Sequence, residues 1–228
     1  MYISGLQKLT LLDFPGRLAA TVFLGGCNFR CPFCHNASLV LSPGECEKIN
    51  EEVFFEFLNS RKGKLSGVCV TGGEPTLYPD LKSFIKKIKD MSFAVKLDTN
   101  GTNPDLLSEL IDENLIDYVA MDIKNSPEKY PMTVGCSCDM EKIGRSVSIL
   151  LSEKVDYEFR TTVTRELHKT EDFISISEWI RGAKRYFLQT FEDSGDLIGS
   201  GFSAYSREET EAILRQILPY VPNAQIRT

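Results

Sequence analysis

The chain has 228 residues, a formal net charge of −6 at pH 7 and an isoelectric point of about 5.1. Its hydrophobic content of 42% and charged content of 25% are ordinary for a globular protein, and its length allows one domain with a sizeable core. The acidic balance, without any block of lysine and arginine, excludes the basic surface expected of a nucleic-acid binder.

The N-terminal stretch carries no targeting pattern. Met1–Gly5 lacks a charged region followed by an apolar one, and no apolar run in the chain approaches membrane-spanning length. We therefore expect a cytoplasmic protein with no membrane partner, in which residues 1–18 form a leader before the first buried strand.

A loop with three cysteines follows the apolar run Ala20–Leu24, which predicts a buried strand. Cys27, Cys31 and Cys34 stand at positions i, i+4 and i+7 of this loop, residues 25–36. A structural zinc site usually takes four ligands in two separated pairs, whereas cubane iron–sulfur clusters are held by cysteine thiolates, normally one to each iron. Three cysteines would leave one iron with an open position for a substrate or cofactor.

Four further cysteines complete the odd total of seven. Cys69 lies inside an apolar run and is predicted to pack as a small hydrophobe. Cys136 and Cys138 lack the repeated Cys-x2-Cys spacing of ferredoxin-like inserts, and Cys46 stands alone. These four residues do not predict a second cluster, and the sequence leaves open whether they bind anything.

Short apolar runs alternate with helical patterns along the chain. The predicted strands are Ala20–Leu24, Gly67–Thr71, Ala94–Leu97, Tyr118–Ile123, Val155–Val163 and Tyr186–Phe191. The helical patterns cover 50–61, 80–91, a segment opened by Asn103 and Pro104, 143–151, 175–182 and 208–218. Six such repeats predict an α/β fold with a parallel sheet. Because 228 residues would crowd an eight-fold barrel, we expect a partial (βα)6 barrel forming a single domain, 1–228.

Polar residues stand where these strands end, which is where chemistry gathers in such folds. Gly72 and Gly73 let the backbone approach a ligand closely, and Glu74 can add a negative charge, although an isolated turn before a proline is the simpler alternative. The next strand ends in Asp98, Thr99 and Asn100. These segments are candidate binding elements.

Charged residues also fall on single faces of two strands. Alternation places Asp122 and Lys124 on one face, which predicts a polar cavity unless both side chains simply emerge into water. Glu158 and Arg160 share a face of the following strand, and a buried arginine needs an anionic partner, either Glu158 or a ligand carboxylate.

The two histidines are less informative. His35 adjoins the cysteine loop, where it either lies near a cofactor or packs against Phe33, and His168 is predicted to lie in a surface loop.

The spacing Cys-x3-Cys-x2-Cys, with aromatic Phe33 before the last cysteine, resembles the signature of the radical S-adenosylmethionine (SAM) enzymes. The continuation Cys34-His35-Asn36 and the leader Gly5–Gly16 resemble more narrowly the activating enzymes of glycyl-radical enzymes, above all those of anaerobic ribonucleoside-triphosphate reductase. This resemblance implies a [4Fe-4S] cluster on Cys27, Cys31 and Cys34, SAM as cofactor, and the partial barrel common in that family.

The resemblance also assigns roles to the strand-end residues. It implies that Gly72, Gly73 and Glu74 hold the amino group of the methionine moiety, and that Asp98, Thr99, the Ala120 carbonyl and Asp122 surround a monovalent cation. Lys124 is implied to reach SAM, and Arg160 matches a strand-five arginine of relatives; Phe33, Asn100 and Gln189 complete the implied cofactor-binding set. The stretch Gln189-Thr190-Phe191-Glu192 replaces a pattern with a cofactor-contacting histidine found in pyruvate formate-lyase activators, which favours the reductase branch.

The implied activity is reductive cleavage of SAM to methionine and a 5′-deoxyadenosyl radical, which takes a hydrogen from a glycine of a large partner enzyme. The cluster would receive its electron from a donor such as flavodoxin or ferredoxin. Two enzymatic alternatives keep the cofactor and change the substrate: activation of pyruvate formate-lyase or another glycyl-radical enzyme, or deazapurine (7-carboxy-7-deazaguanine) synthesis. A non-enzymatic iron–sulfur or zinc-binding module is the alternative from a different class.

Overall fold

The computed structural model describes residues 1–227. Within them the strands are β1 Tyr2–Ile3, β2 Gly5–Thr10, β3 Ala19–Leu24, β4 Ile49–Asn50, β5 Gly67–Gly72, β6 Ala94–Thr99, β7 Tyr118–Asp122, β8 Asp156–Val163, β9 Tyr186–Thr190 and β10 Ala224–Arg227. The helices are α1 Ala37–Leu41, α2 Glu51–Ser60, α3 Leu81–Asp90, α4 Pro104–Asp112, α5 Tyr130–Val134, α6 Met140–Leu151, α7 Thr170–Trp179 and α8 Arg207–Ile217, with short 3-10 turns at Pro75–Leu77 and Pro127–Lys129.

The main sheet has eight strands in the order β10-β9-β8-β7-β6-β5-β3-β2, and β1 pairs with β4 separately. The pairs β3/β5, β5/β6, β8/β9 and β9/β10 are parallel, whereas β2 and β3 are antiparallel. All six predicted strands are present, as β3 and β5 to β9, so the α/β fold with a mainly parallel sheet is confirmed. The sequence reading missed β1, β2, β4 and β10.

The chain divides into two compact units. The first unit contains residues 1–28, 36–99 and 103–119, and the second contains 29–35, 100–102 and the chain from Ala120 onward. The division falls within β7, since Tyr118 and Val119 belong to the first unit and the rest of the strand to the second. The predicted single-domain organisation stays a prediction.

Each unit has its own buried strands. In the first unit, Val68, Val70, Val95 and Leu97 of β5 and β6 are fully buried, as are Phe84 and Ile88 of α3. In the second unit, the same holds for Tyr157 and Phe159 of β8 and for Tyr186 and Leu188 of β9. Strands whose side chains are buried on both faces are typical of parallel sheets covered by helices.

Side-chain caps begin helices α4 and α8. The Asn103 side chain accepts the backbone N–H of Leu106 at 3.3 Å, and Pro104 opens α4. Ser206 and Glu209 form a capping box at the start of α8. None of the helices within residues 1–227 combines the length and apolar character needed to cross a bilayer.

Candidate active site

The cysteine-bearing loop, residues 25–36, follows β3 directly, and its residues are shared between the units. Residues 25–28 and Asn36 belong to the first unit, and residues 29–35 belong to the second. In the first unit, Gly26 donates its N–H to the Leu39 carbonyl at 2.7 Å, and the Asn36 amide donates to the Gly72 carbonyl at 3.1 Å. Both ends of the loop are therefore tied to the scaffold, one to α1 and the other to the end of β5.

The segment Gly72–Glu74 lies directly against the start of this loop. Gly73 donates its N–H to the Leu24 carbonyl and Glu74 donates to the Gly26 carbonyl, both at 2.8 Å. A Cβ at position 73 would lie 1.9 Å from the Gly26 oxygen, and Gly72 has φ +123°, with a Cβ position 2.3 Å from the Leu24 oxygen. Only glycine permits this approach at either position, so the two glycines fix the backbone immediately before Cys27.

Glu74 is fully buried. One of its oxygens, Oε1, accepts hydrogen bonds from the Thr76 N–H at 3.1 Å, the Thr76 hydroxyl at 2.5 Å and the Thr99 hydroxyl at 2.8 Å. A carboxylate that accepts several hydrogen bonds is held in one orientation and is compensated for its burial. The sequence reading named Glu74 and Thr99 but missed Thr76, whose position two residues after Glu74 is typical of a capping contact.

Asp98, at the end of β6, has a lysine as its partner. The Lys96 ammonium makes an ion pair with Oδ1 of Asp98, and the Thr71 hydroxyl donates to Oδ2 at 3.2 Å. The Cys69 thiol lies 3.7 Å from Oδ1 and 3.8 Å from the Lys96 nitrogen. Cys69 is buried in the core, as predicted, and its thiol also contacts these polar groups. Lys96 was not predicted as a site residue, although its position two residues before Asp98 places both side chains on one face.

In the second unit, Cys31 and Cys34 lie in a tight turn in which Cys34 donates its N–H to the Cys31 carbonyl at 3.0 Å. Cys31 is buried, Cys34 is partly exposed, and Phe33 between them is buried with its ring 6.4 Å from that of Phe202. Gly199 donates to the Pro32 carbonyl at 2.7 Å. The segment after β9 therefore holds this turn from one side.

Helix α5 also contacts the cysteine loop. Arg30 donates its N–H to the Val134 carbonyl at 2.8 Å, and the ring of Phe29 lies edge-on to Tyr130 at 6.4 Å. Gly135, which ends α5 with φ +68°, approaches so closely that a Cβ would lie 2.5 Å from the Arg30 oxygen. The backbone between the first and second cysteines is thus fixed by packing.

Asp122, Lys124 and Arg160 form one charged cluster in the second unit. The Lys124 ammonium lies 3.0 Å from Oδ2 of Asp122, and Nε of Arg160 lies 2.9 Å from Oδ1. Burial by itself would raise the pKa of Asp122, but Arg160 and Lys124 outweigh it and hold that pKa well below its usual range. Burial would likewise lower the pKa of Lys124, yet Asp122 and then the Cys31 thiol raise it above its ordinary value. All three groups are therefore charged at neutral pH.

The structure gives Arg160 an anionic partner that the sequence did not identify. Arg160 pairs with Asp122, while Glu158 makes a two-pronged ion pair with Arg227 of β10, at 2.7 and 3.0 Å. Glu158 is almost fully buried, so it needs a cation of its own. The alternation of side chains along β8 predicts that Glu158 and Arg160 share a face. It cannot predict which residues of other strands pair with them.

His168 is not a surface residue, contrary to the sequence reading. It is fully buried, and its ring stacks on Phe173. Nε2 lies 2.9 Å from the Lys124 carbonyl, which can only accept, so Nε2 carries a proton, and Nδ1 lies 3.2 Å from the carbonyl and 3.3 Å from the N–H of Thr164. His35 is exposed, and its ring lies against Phe191 at 5.6 Å and not against Phe33.

The cofactor-binding roles predicted for Asn100 and Gln189 stay predictions. Asn100 is buried, and its side chain accepts from the N–H and hydroxyl of Thr102 at 3.0 and 2.7 Å. Gln189 is partly exposed on β9. None of the seven cysteines, all within residues 1–227, forms a disulfide.

Comparison with known proteins identifies the family. The sequence model of the Radical SAM superfamily matches residues 21–181. A protein of Methanocaldococcus jannaschii, named as a glycyl-radical enzyme activating enzyme, is 33% identical over 99% of this chain and 95% of its own length. The 7-carboxy-7-deazaguanine synthase of Methanopyrus kandleri is 28% identical over 68% of this chain and 71% of its own. A crystallised domain of a pyruvate-formate lyase-activating enzyme from Bacteroides vulgatus covers 72% of this chain, and 99% of that domain is covered, with a TM-score of 0.57 and 19% identity, which is a likeness of fold.

Proposed function

This chain belongs to the radical SAM superfamily, and we propose that it activates a glycyl-radical enzyme, with anaerobic ribonucleoside-triphosphate reductase as the partner. The observation that carries the proposal is the match, over nearly the whole chain, to a relative named for this activity. The continuation Cys34-His35-Asn36 supports it further, because this segment resembles the corresponding one of the activating enzymes.

Enzymes of this superfamily use a [4Fe-4S] cluster and SAM, and the donor set of this chain fits the cluster. Cys27, Cys31 and Cys34 supply three thiols at the family spacing from one short loop. Thiolates are the ligands that such clusters take. We propose that these three residues would hold the cluster and that SAM would bind beside it.

When bound and reduced, the cluster would supply one electron for the cleavage of SAM to methionine and a 5′-deoxyadenosyl radical, which would take a hydrogen atom from the partner's glycine. The chain need supply no general acid or base. Its residues place the cofactor and surround it with fixed charges that need not reorganise during the reaction.

The proposed cofactor-binding residues divide by their chemistry. The backbone of Gly72 and Gly73 and the carboxylate of Glu74 are suited to an ammonium group, since Glu74 is held in one orientation by its own hydrogen bonds. Lys124 and Arg160 are suited to a carboxylate, because both are positively charged and tied in place by Asp122. Phe33, Asp98, Thr99, Asn100 and Gln189 complete the proposed set.

The proposed partners and location follow from the same chemistry. A low-potential protein such as flavodoxin or ferredoxin would reduce the cluster. A cytoplasmic location is proposed because thiolate ligands persist in a reducing compartment.

The test is anaerobic reconstitution of the full chain with iron and sulfide, followed by addition of dithionite and SAM. We expect 5′-deoxyadenosine, and, when the large reductase of the same organism is added, a glycyl-radical signal in electron paramagnetic resonance. Cys31→Ala should abolish both, whereas Cys46→Ala, at a cysteine outside the loop, should leave both unchanged. Wild-type yields of 5′-deoxyadenosine from Cys31→Ala, or zinc in place of iron in oxygen-protected protein, would refute the enzymatic proposal.

Production of 7-carboxy-7-deazaguanine is the second candidate function, favoured by the Methanopyrus kandleri relative. The product of the reaction distinguishes this function from activation of a glycyl-radical enzyme. Radical formation on the reductase, without 7-carboxy-7-deazaguanine detectable by mass spectrometry, supports activation, and the reverse result supports synthesis. Pyruvate formate-lyase as the partner would give the glycyl radical on that enzyme in place of the reductase.

A further inference from the structure

Lys96 is a buried lysine in the middle of strand β6, in the first unit. Its side chain is 2% exposed. A charged ammonium removed from water requires an anionic partner or loses its proton. The partner is Asp98, whose Oδ1 forms the ion pair and whose side chain is 14% exposed.

Strand register explains why these groups meet. Cys69 of β5 and Lys96 of β6 are paired across the two strands. Thr71 and Asp98 each stand two residues further along and therefore share the same face. The contacts follow this register, since Oδ2 of Asp98 accepts from the Thr71 hydroxyl at 3.2 Å while Oδ1 faces Lys96 and Cys69.

This arrangement does not fit a metal cation at Asp98. The resemblance to pyruvate formate-lyase activators implies a monovalent cation beside the counterparts of Asp98 and Asp122. Here the ammonium of Lys96 already occupies the position of a cation at Oδ1 of Asp98. Asp122 likewise has its own side-chain cations, Lys124 and Arg160.

We propose that the Lys96 ammonium takes the place of a monovalent metal cation at Asp98, so that this chain needs neither potassium nor sodium to hold that carboxylate. Lys96 is a positioning residue in this account, because it acts by fixing the charge and orientation of Asp98. The consequence for SAM rests on the proposed function, whereas the ion pair itself does not.

The first test is thermal unfolding of the reconstituted full chain in potassium chloride, sodium chloride and tetramethylammonium chloride at equal ionic strength. Wild type should unfold at the same temperature in all three salts. In Lys96→Met the Asp98 carboxylate loses its cation, so the unfolding temperature in tetramethylammonium chloride should fall, and potassium or sodium should restore roughly 2–4 °C.

Two further variants control this measurement. Lys96→Met combined with Asp98→Asn removes both charges and should show no difference among the salts. Lys86→Met removes an exposed lysine of α3 and should behave as wild type. A rise in wild-type unfolding temperature with potassium equal to that of Lys96→Met, or no response of Lys96→Met to potassium or sodium, would overturn the proposal.

A second measurement keeps the proposal testable if Lys96→Met does not fold. The affinity of reconstituted wild type for SAM should be the same in potassium and tetramethylammonium salts. A tenfold or greater loss of affinity without potassium would show that a metal cation is required and that Lys96 does not replace it. Failure of SAM cleavage would count against the proposed function alone, because the unfolding experiment needs no turnover.

Discussion

The carbonyl oxygen of Gly26 accepts the backbone N–H of Glu74 at 2.8 Å, and a Cβ at the intervening position 73 would lie 1.9 Å from that same oxygen. The residue before the first cysteine is therefore fixed by the segment that also carries the buried carboxylate. The start of the cysteine loop and the Gly-Gly-Glu turn thus pack together in the first unit, and a change in the turn should alter the position of Cys27.

Gly73→Ala should consequently reduce the amount of cluster that the chain retains. The added methyl group cannot be accommodated without moving the Gly26 backbone, because the contact is with backbone atoms and not with a flexible side chain. We expect iron and sulfide per chain to fall after reconstitution, together with a lower unfolding temperature. The measurement is metal analysis combined with the absorbance of the cluster.

Gly44→Ala is the matched control for this change, since a Cβ at position 44 would meet open space. It should retain the wild-type iron content. If Gly73→Ala bound iron as well as Gly44→Ala does, the turn would not control the position of the first cysteine.

The sequence predicts the parts of this fold that depend on local periodicity. Apolar runs such as Gly67–Thr71 and Tyr186–Phe191 mark β5 and β9, because strands covered on both faces must be apolar throughout. β2 was missed since several of its side chains are exposed and it forms the end of the sheet order. β10 was missed because its four residues, Ala224–Arg227, are too few for a periodic signal.

In the candidate site, too, the sequence predicts local features but not the contacts between distant side chains. Alternation correctly placed Asp122 and Lys124 on one face, and the 3.0 Å ion pair between them confirms it. The partner of Arg160 could not be read from the sequence because Asp122 lies 38 positions away on another strand. Burial of His168 was missed for the same reason, since the Lys124 carbonyl that its ring contacts lies 44 positions away in the sequence.

A double-mutant cycle tests the pairing of Arg160 with Asp122. Asp122→Asn and Arg160→Met should each destabilise the chain, and together they should cost less than the sum, with a coupling energy of roughly 0.5–3 kcal/mol. The reason is that either single change removes the same ion pair: Asp122→Asn takes this carboxylate from Arg160, and Arg160→Met leaves Asp122 paired with Lys124 but no longer with Arg160. The free energy of unfolding from urea titration gives the four corners of the cycle.

Glu158→Gln is the comparison for this cycle. Because Glu158 pairs with Arg227, its effect should add to that of Arg160→Met within about 0.5 kcal/mol. A larger coupling of Arg160 to Glu158 than to Asp122 would favour Glu158, one of the two partners that the sequence left open.

Glu74→Gln should separate the charge of this residue from its structural role. The amide oxygen of glutamine can still accept the hydrogen bonds of Thr76 and Thr99, so we expect the fold to be retained. Loss of the negative charge should weaken SAM binding by roughly 10- to 100-fold, the usual value of a hydrogen bond to a charged group. The measurement is the dissociation constant of SAM on the reconstituted protein.

Thr76→Val provides the opposite change at this site. It removes a hydroxyl that donates to Glu74 while keeping the carboxylate, so it should cost about 1 kcal/mol of stability and affect SAM affinity less than Glu74→Gln does. Equal losses of affinity in the two variants would mean that Glu74 acts only through the shape of the turn.

His168 should make the stability of the chain depend on pH below neutrality. Burial lowers the pKa of His168 below 6.5, although its contacts with the Lys124 and Thr164 backbone oppose this effect. The unfolded chain therefore takes up a proton on this ring at a higher pH than the folded chain does. The stabilisation is fully present above pH 6.5 and is lost as the pH falls from there toward the lowered folded pKa, with a slope of at most about 1.4 kcal/mol per pH unit.

His168→Gln removes the titrating ring but keeps an amide that can donate to the Lys124 carbonyl. Urea unfolding at a series of pH values should show a flatter dependence in this variant than in wild type. The chain has only two histidines, so His168 is the sole histidine in His35→Gln. In this variant the free energy of unfolding should still decrease, as the pH falls, by the amount that His168 contributes. If wild type and His168→Gln declined equally as the pH falls, the titrating group would not be the buried ring that holds the end of β7.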